Sequence, residues 1–348
     1  MKKTLFILFI TSFFFSMDAM EEKESLDTTL RVMTYNVCTS FHTYKNRKKK
    51  HLLIDKRLDK IASLITDENP DIIAFQEIRN IGHNTLSLFS KLIENLGYSK
   101  IQLKENDSDF SLINTIAYKN NSLSFEQGYF WWMSETPDYC SKHMCMKHPK
   151  AVLMATFYPK QEKTYCKNTP LYFVNIHHHK NHFIRMRTNQ VLVEKIRELT
   201  KIDKGFVVIA GDMSTYSYQN YGEKELSILK ENGYFDASKY LKTFDGIKVS
   251  GTFIGYSNDF HKCPKNKFGD HLDHVFVKNQ LPDKQTYETK CHVNDKKYTH
   301  LDLIPAETET DLLQGPDGED IRDEFPSDHL PVIVDITIKK HAITSKNN

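Results

Sequence analysis

The chain has 348 residues, enough for one large or two ordinary domains with a substantial core. Its 47 Lys and Arg nearly balance 45 Asp and Glu, and a net charge of +2 excludes a protein-wide field for nucleic acid, leaving any cationic groove local. Apolar residues at 39% and aromatics at 12% exclude extended disorder. No repeating unit of about 20 residues occurs, which excludes a solenoid.

Lys2 and Lys3 precede the apolar run Leu5 to Phe15, and Ser16, Ala19 and a Glu-rich stretch follow. This is the order of a secretory signal over residues 1–20. The run is too short for a comfortable transmembrane helix, and an uncleaved anchor is the rival reading. A secreted or periplasmic monomer is expected, with no stable membrane span after processing. Export permits disulfides, and the six cysteines (38, 140, 145, 166, 263 and 291) allow more pairings than sequence can choose among. Cys140 and Cys145 flank a short polar loop and are placed to close on each other. Zinc held by Cys140, His143, Cys145 and His148 is an alternative whose spacing fits no strong pattern. Cys38 follows a strand and reads as a buried free thiol.

Arg31 to Val37, rich in β-branched and aromatic residues, predicts a strand. A polar, basic loop then runs to His51. Residues 52–66 space Ile54, Leu58, Ile61 and Ile65 as the apolar stripe of a helix. Asn69-Pro70 stops it, and Asp71 to Phe75 is a short buried strand leading into Gln76-Glu77. A second helix covers Thr85 to Leu96 and closes at Gly97. Strands follow at Asn114 to Tyr118, Ala151 to Tyr158 and Leu171 to Ile176, then an amphipathic helix at His182 to Leu199. Phe206 to Ala210 is another buried strand, ending at Gly211-Asp212. Further strands are expected at 249–254, 272–277 and 331–338, with loop insertions at 258–270 and 307–324. Strands and helices alternate but hairpin-like pairs interrupt them, which predicts mixed sheets covered by helices rather than a parallel Rossmann sheet. No Gly-rich dinucleotide turn or Walker-type loop occurs. No Pro-, Gly- or Ser-rich linker lies between 30 and 338, so one domain is expected over 28–340, followed by a flexible tail at 341–348.

Polar residues recur at the ends of these strands: Asn36, Glu77, His177, Asp212, Asp273 and the pair Asp328-His329. Ligands commonly sit at strand ends in α/β folds. Asn36, Glu77 and Asp328 supply oxygen, which suits a hard cation such as Mg²⁺, or Mn²⁺ in its place, that keeps several waters. Asp212 beside that metal is suited to orient or deprotonate an attacking water. His177 and His329 can neutralise charge that builds on a phosphoryl group, with Asp273 holding His329 in one tautomer. Singly, each has a plainer role. Asn36 and Asp212 suit turns that bond their own backbone, Glu77 a solvated strand end, His177-His178-His179 a surface patch, and Asp273 a salt bridge. Recurrence of types that build one phosphate-ester hydrolase site weighs against these.

The chain resembles the endonuclease/exonuclease/phosphatase superfamily of Mg²⁺-dependent hydrolases. The matching pieces are Met33-Thr34-Tyr35-Asn36, Asp71 to Glu77, Val174 to His177, Ile209-Ala210-Gly211-Asp212, Leu272 to Phe276 and Ser327 to Val332, in family order across residues 31–335. Phe130 to Pro137 is similar to a strand-and-turn of secreted bacterial members related to the nocturnin-like branch. The resemblance implies a four-layer α/β sandwich, two packed mixed β-sheets flanked by helices. It implies Glu77 as principal metal ligand with Asn36 and Asp328 nearby, and Asp212 as the residue that positions or activates water. It puts His177 and the Asp273-His329 pair at the scissile phosphate. Three departures stand out. Gly211-Asp212-Met213-Ser214 replaces the usual Gly-Asp-Phe-Asn, so Ser214 offers one short hydroxyl where an amide normally meets metal or phosphate. His177-His178-His179-Lys180 replaces His-x-Asp-His, and His271 replaces a common Arg.

The run Lys45 to His51, with Lys48 and Lys49 inside it, follows the Asn36 strand end and suits a nucleic-acid backbone or an anionic headgroup. A solvated charge run is the plain alternative. Trp131 and Trp132 alternate in a strand, so one is core and the other is free to stack on a base. No long apolar hairpin stands out to enter lipid, which disfavours a sphingomyelinase. The expected function is an exported Mg²⁺-dependent phosphodiesterase, a nuclease, acting on nucleic acid or another phosphate ester. A sphingomyelinase or inositol-phosphate phosphatase on the same frame is one alternative, and a catalytically weakened binding protein another.

Overall fold

Two runs, Ile72–Ile78 and Phe206–Asp212, are apolar almost to their last positions, as strands covered on both faces must be. In the computed structural model each lies inside a sheet. The structure describes residues 28–38, 54–78, 85–102, 113–146, 148–160, 169–200, 205–215, 222–239, 251–253, 270–279, 285–293 and 325–340. In chain order the elements are β1 (Thr28–Asn36), α1 (Ile54–Glu68), β2 (Ile72–Ile78), α2 (Thr85–Asn95), β3 (Tyr98–Gln102), β4 (Ile113–Lys119), β5 (Leu123–Trp132) and β6 (Ala151–Pro159). Then come β7 (Leu171–His177), α3 (His182–Leu199), β8 (Phe206–Asp212), α4 (Gly222–Glu231), β9 (Phe235–Asp236), β10 (Asp273–Asn279), β11 (Gln285–Val293) and β12 (Val332–Lys340).

The strands form two six-stranded sheets, ordered β11-β12-β1-β2-β4-β3 and β5-β6-β7-β8-β10-β9. Each sheet is antiparallel except for one central parallel pair, β1/β2 in the first and β7/β8 in the second. A parallel pair needs a long crossover, and α1 and α3 supply the two. Alternation along the strands sorts the core into layers. Val32, Ile72, Phe157, Phe173, Val208 and Val334 meet between the sheets. Met33, Ile73 and Phe75 face outward onto Ile61 and Ile65 of α1 and Phe89 of α2. Val174, Val207 and Ile209 do the same onto Leu192 and Ile196 of α3 and Leu229 of α4. This is the expected four-layer α/β sandwich.

The helix ends are locally encoded. After α1, Asn69 turns to φ +49° and its N–H bonds the Ile65 carbonyl at 2.8 Å, ahead of Pro70. At the start of α3 the Asn181 side-chain oxygen accepts from the N–H groups of Phe183 at 2.9 Å and Ile184 at 3.4 Å.

The structure departs from sequence expectation mainly at the sheet edges. β3, β9, β11 and α4 are not announced by apolar periodicity, and β5 only by its last residues. As an edge strand β5 buries Leu123 and Trp131 and exposes most of the residues between, so no apolar run marks it. Trp131 is core and Trp132 partly exposed, as alternation requires. Residues 251–253 form no strand; Phe253 makes a single antiparallel bridge to His329. The expected signal segment 1–20, the stretches 258–269 and 307–324, and the expected tail 341–348 lie outside the described residues. Among the described residues no helix is long and apolar enough to cross a membrane.

Buried amides join the two sheets at one end. Gln76 Nε2 of β2 donates to Asn175 Oδ1 of β7 at 2.9 Å. Asn175 Nδ2 in turn donates to the carbonyls of Phe75 at 2.9 Å and Thr115 at 2.8 Å, both in the opposite sheet. Asn175→Leu strands these buried partners. We expect it to lower the unfolding free energy by about 1–3 kcal/mol, measured by urea denaturation.

Candidate active site

Strand pairing carries the polar strand ends to one place. In the first sheet Asn36 sits beside Gln76. In the second, Asp212 is the register partner of both His177 and Asp273, so three adjacent strands present three site residues side by side. β12 begins at Val332, opposite Thr34, and Asp328-His329 just before it emerges at the same end.

The backbone is strained here. Among the described residues four non-glycine positions have positive φ, and three of them are Cys38 (46°), Glu77 (60°) and Ser214 (51°). Such conformations cost on the order of 1 kcal/mol each and persist where the surroundings enforce them. At Glu77 the β2/β4 register shifts between Phe75 and Ile78, a bulge that re-aims the side chain. Gly211 has φ +157°, and a Cβ there would meet the Ile176 carbonyl oxygen at 1.9 Å. Only glycine lets β8 approach β7 this closely, just where Asp212 must stand beside His177.

The two sheets touch through the site itself. Asn36 Nδ2 donates to Asp212 Oδ2 at 3.1 Å, and Asn36 Oδ1 accepts from the Cys38 N–H at 3.0 Å. His177 Nε2 lies 3.5 Å from Asp212 Oδ2 and 3.8 Å from Glu77 Oε1. Asp212 Oδ1 accepts from the Ser214 N–H at 2.7 Å and from its hydroxyl at 3.1 Å. Ser214 is buried, with its N–H and hydroxyl both on Asp212 Oδ1. Asp273 Oδ2 stands 2.8 Å from His329 Nδ1 and accepts from Thr252 Oγ1 at 2.6 Å.

Burial and neighbours set the charges. Burial disfavours the charged His329 ring, but Asp273, then Asp328 and Asp212, outweigh it and lift its pKa to about 10. His177 is pushed well below the ordinary imidazole value by burial, with Lys150 and His329 adding to the effect, so it is neutral. Burial raises the Asp212 carboxyl above its usual range against the pull of His329. Burial, Asp328 and Glu77 push the Cys38 thiol well up, which makes it a poor nucleophile.

Glu77 and Asp328 both raise the pKa of that thiol, and Asn36 Oδ1 accepts from its backbone N–H, so all three oxygen-bearing side chains lie in the neighbourhood of Cys38. An all-oxygen set fits a hard divalent cation that keeps most of its water. Among the described residues no three His, Cys, Asp or Glu side chains form a ready metal cluster, and the proposed zinc set is not assembled. Cys140 and Cys145 are separate exposed thiols rather than a disulfide; His143 between them turns its Nε2 to Glu135 at 3.2 Å. Lys48 and Lys49 lie outside the described residues.

Several supports escape sequence reasoning because their signals are ordinary helix or loop residues. Arg57, buried in α1, donates to the carbonyls of Val37 at 2.9 Å, Cys38 at 2.8 Å and Pro326, tying the β1 end to the loop before Asp328. Ser327 Oγ donates to the Asn36 carbonyl at 2.7 Å. Behind His177, Arg185 pairs with Glu225 at 2.6 and 2.8 Å and holds the carbonyls of His179 and Lys180. His178 bonds Asn189 at 2.7 Å, and burial keeps it neutral with a pKa near 3. Lys150 Nζ donates to the His178 carbonyl, placing a cation against the loop.

The model of the endonuclease/exonuclease/phosphatase family matches residues 33–329. The chain belongs to this family. Protein L388 of Acanthamoeba polyphaga mimivirus is 27% identical over 255 residues, 71% of this chain and 87% of that protein. The mannosyl-6-phosphatase Bt3783 of Bacteroides thetaiotaomicron superposes with a TM-score of 0.60 at 20% identity, covering 88% of this chain and 99% of that one. TDP2 of D. rerio, solved with a single-strand DNA product, superposes at 0.55 and 14% identity, covering 89% and 99%. Members of the family are typically hydrolases of phosphate esters.

Because the folded pKa of His329 lies above its ordinary 6.5, the Asp273 pairing adds stability that is fully present below pH 6.5 and lost as pH rises through about 10. In Asp273→Asn we expect the ring titration, followed by NMR, to fall toward 6.5. The stability gap between variant and wild type, from urea unfolding at several pH values, should close above pH 10. A wild-type ring that titrates near 6.5 contradicts this assignment.

Proposed function

We propose that this chain is an exported, Mg²⁺-dependent phosphoesterase that cleaves phosphodiester bonds, a nuclease. The observation that carries the reading is the meeting of Glu77 from one sheet and Asp212 from the other at the His177 imidazole, at 3.8 and 3.5 Å. Export rests on the signal-like order of residues 1–20.

Glu77, Asp328 and Asn36 would hold the Mg²⁺, with Mn²⁺ as a substitute. Such a cation would supply neutralisation of charge on the phosphoryl oxygens and would make a nearby water more acidic. Asp212, its carboxyl raised by burial, orients the attacking water and takes its proton. Its Oδ1 is fixed by Ser214, so the carboxylate enters the reaction already oriented. With His329 Nδ1 held by Asp273, Nε2 is the nitrogen left for the phosphoryl group, and the ring brings a positive charge to it. His177, neutral and buried, donates a hydrogen bond rather than a charge. As the water oxygen bonds to phosphorus the ester P–O bond breaks. The high thiol pKa of Cys38 agrees with direct attack by water rather than by a protein nucleophile.

A phosphomonoesterase is the second reading, favoured by the likeness to the mannosyl-6-phosphatase. Mature protein assayed with Mg²⁺ or EDTA against plasmid DNA, RNA, sphingomyelin vesicles, inositol phosphates and a sugar 6-phosphate separates the two. We expect Mg²⁺-dependent cleavage of nucleic acid that falls by at least about a hundredfold in Glu77→Ala and His329→Ala. Turnover confined to the monoesters selects the second reading, and no turnover by folded protein rejects both.

A further inference from the structure

A second buried acid–imidazole pair lies beside the site and takes no part in the chemistry above. His274 follows Asp273 in β10 and so points to the opposite face of the sheet. Its Nδ1 lies 3.2 Å from Asp236 Oδ2, and its Nε2 lies 3.1 Å from both Thr215 Oγ1 and the His271 carbonyl oxygen. The Thr215 hydroxyl donates to that same carbonyl at 2.7 Å, so towards His274 it accepts. Both His274 nitrogens thus face oxygen atoms of the surrounding array. Asp236 is fixed in turn by the Ser238 N–H at 3.1 Å and hydroxyl at 2.8 Å. The His271 ring stacks on His274 at 3.9 Å and 17°. Asp236, Ser238, Thr215 and His274 are all buried.

What this array holds is the turn that carries Asp212. The turn runs from Asp212 through Ser214, at φ +51°, to Thr215. Met213 N–H bonds the Leu272 carbonyl at 2.7 Å, and Thr215 is the turn's next anchor on the same 271–272 segment. Between these anchors Ser214 is kept in a conformation it would otherwise leave, with its N–H and hydroxyl aimed at Asp212 Oδ1. Ser214 supplies both of these hydrogen bonds to Asp212 Oδ1, so the orientation of Asp212 depends on the geometry of the turn.

We propose that Asp236 and His274, acting through Thr215, are positioning residues for Asp212. They lock the 213–215 turn so that Ser214 orients the carboxylate. This rests on the role given to Asp212 above, and the test keeps the two apart. Thr215→Val removes the hydroxyl at nearly constant volume, Thr215→Ser restores it, and Asp236→Asn removes the far anchor. The readouts are amide hydrogen exchange at Ser214, and kcat and KM on the substrate found by the hydrolysis panel, each in wild type and in Asp212→Asn.

In Thr215→Val we expect Ser214 exchange to rise and kcat to fall, each about tenfold, with KM unchanged. Thr215→Ser should recover both, and Asp236→Asn combined with Thr215→Val should be no worse than either alone. On the Asp212→Asn background Thr215→Val should leave kcat unchanged. Unaltered Ser214 exchange in folded Thr215→Val overturns the proposal. So does an equal loss of kcat with and without the Asp212 carboxylate, which marks a general structural role. If Asp212→Asn keeps full activity, the catalytic role of Asp212 fails, and Ser214 exchange still decides the coupling.

Discussion

A hydrogen bond of 3.1 Å from the Asn36 amide to the Asp212 carboxylate spans the gap between the two sheets. One sheet contributes Asn36, Glu77 and, through the turn before β12, Asp328 and His329; the other contributes His177, Asp212 and Asp273. Neither half is a site alone. The buried Gln76–Asn175 amide pair joins the same end of the two sheets, where a shift of either sheet would leave amides and carbonyls unsatisfied in the core. Sheet packing and site geometry are therefore set by one constraint.

Local strain is concentrated where that constraint is strongest. Glu77 sits on a bulge at positive φ, Cys38 and Ser214 are also left-handed, and Gly211 permits a strand approach that a side chain would forbid. The buried Arg57 and Arg185 reinforce these bends from the helix layers by binding carbonyls that turns would otherwise leave unpaired. Buried arginines in the first turns of helices thus serve the loops beyond the sheet ends.

The central strands and three helices were legible because burial on both faces demands apolar runs, and the helix stripes repeat at three and four. The edges were not, since β5 exposes most of one stretch and β9 has only two residues. Among the candidate site residues, Asn36, Glu77, His177, Asp212, Asp273 and Asp328-His329 stand out in the sequence by position at strand ends. Gln76, Asn175, Arg57, Thr215 and Asp236 did not, because a residue that acts through a backbone carbonyl or another side chain leaves no spacing signal of its own. The resemblance points to Ser214 as a substrate contact, and the structure adds a hydrogen bond from its hydroxyl to Asp212.

The most direct test of a site assembled across the sheet junction is anomalous diffraction from crystals soaked in Mn²⁺ with inorganic phosphate. The account predicts a Mn²⁺ peak bound by Glu77 and Asp328 and a phosphate within reach of His177 and His329. Mn²⁺ found only elsewhere, with this end of the sandwich holding neither ion, would contradict it.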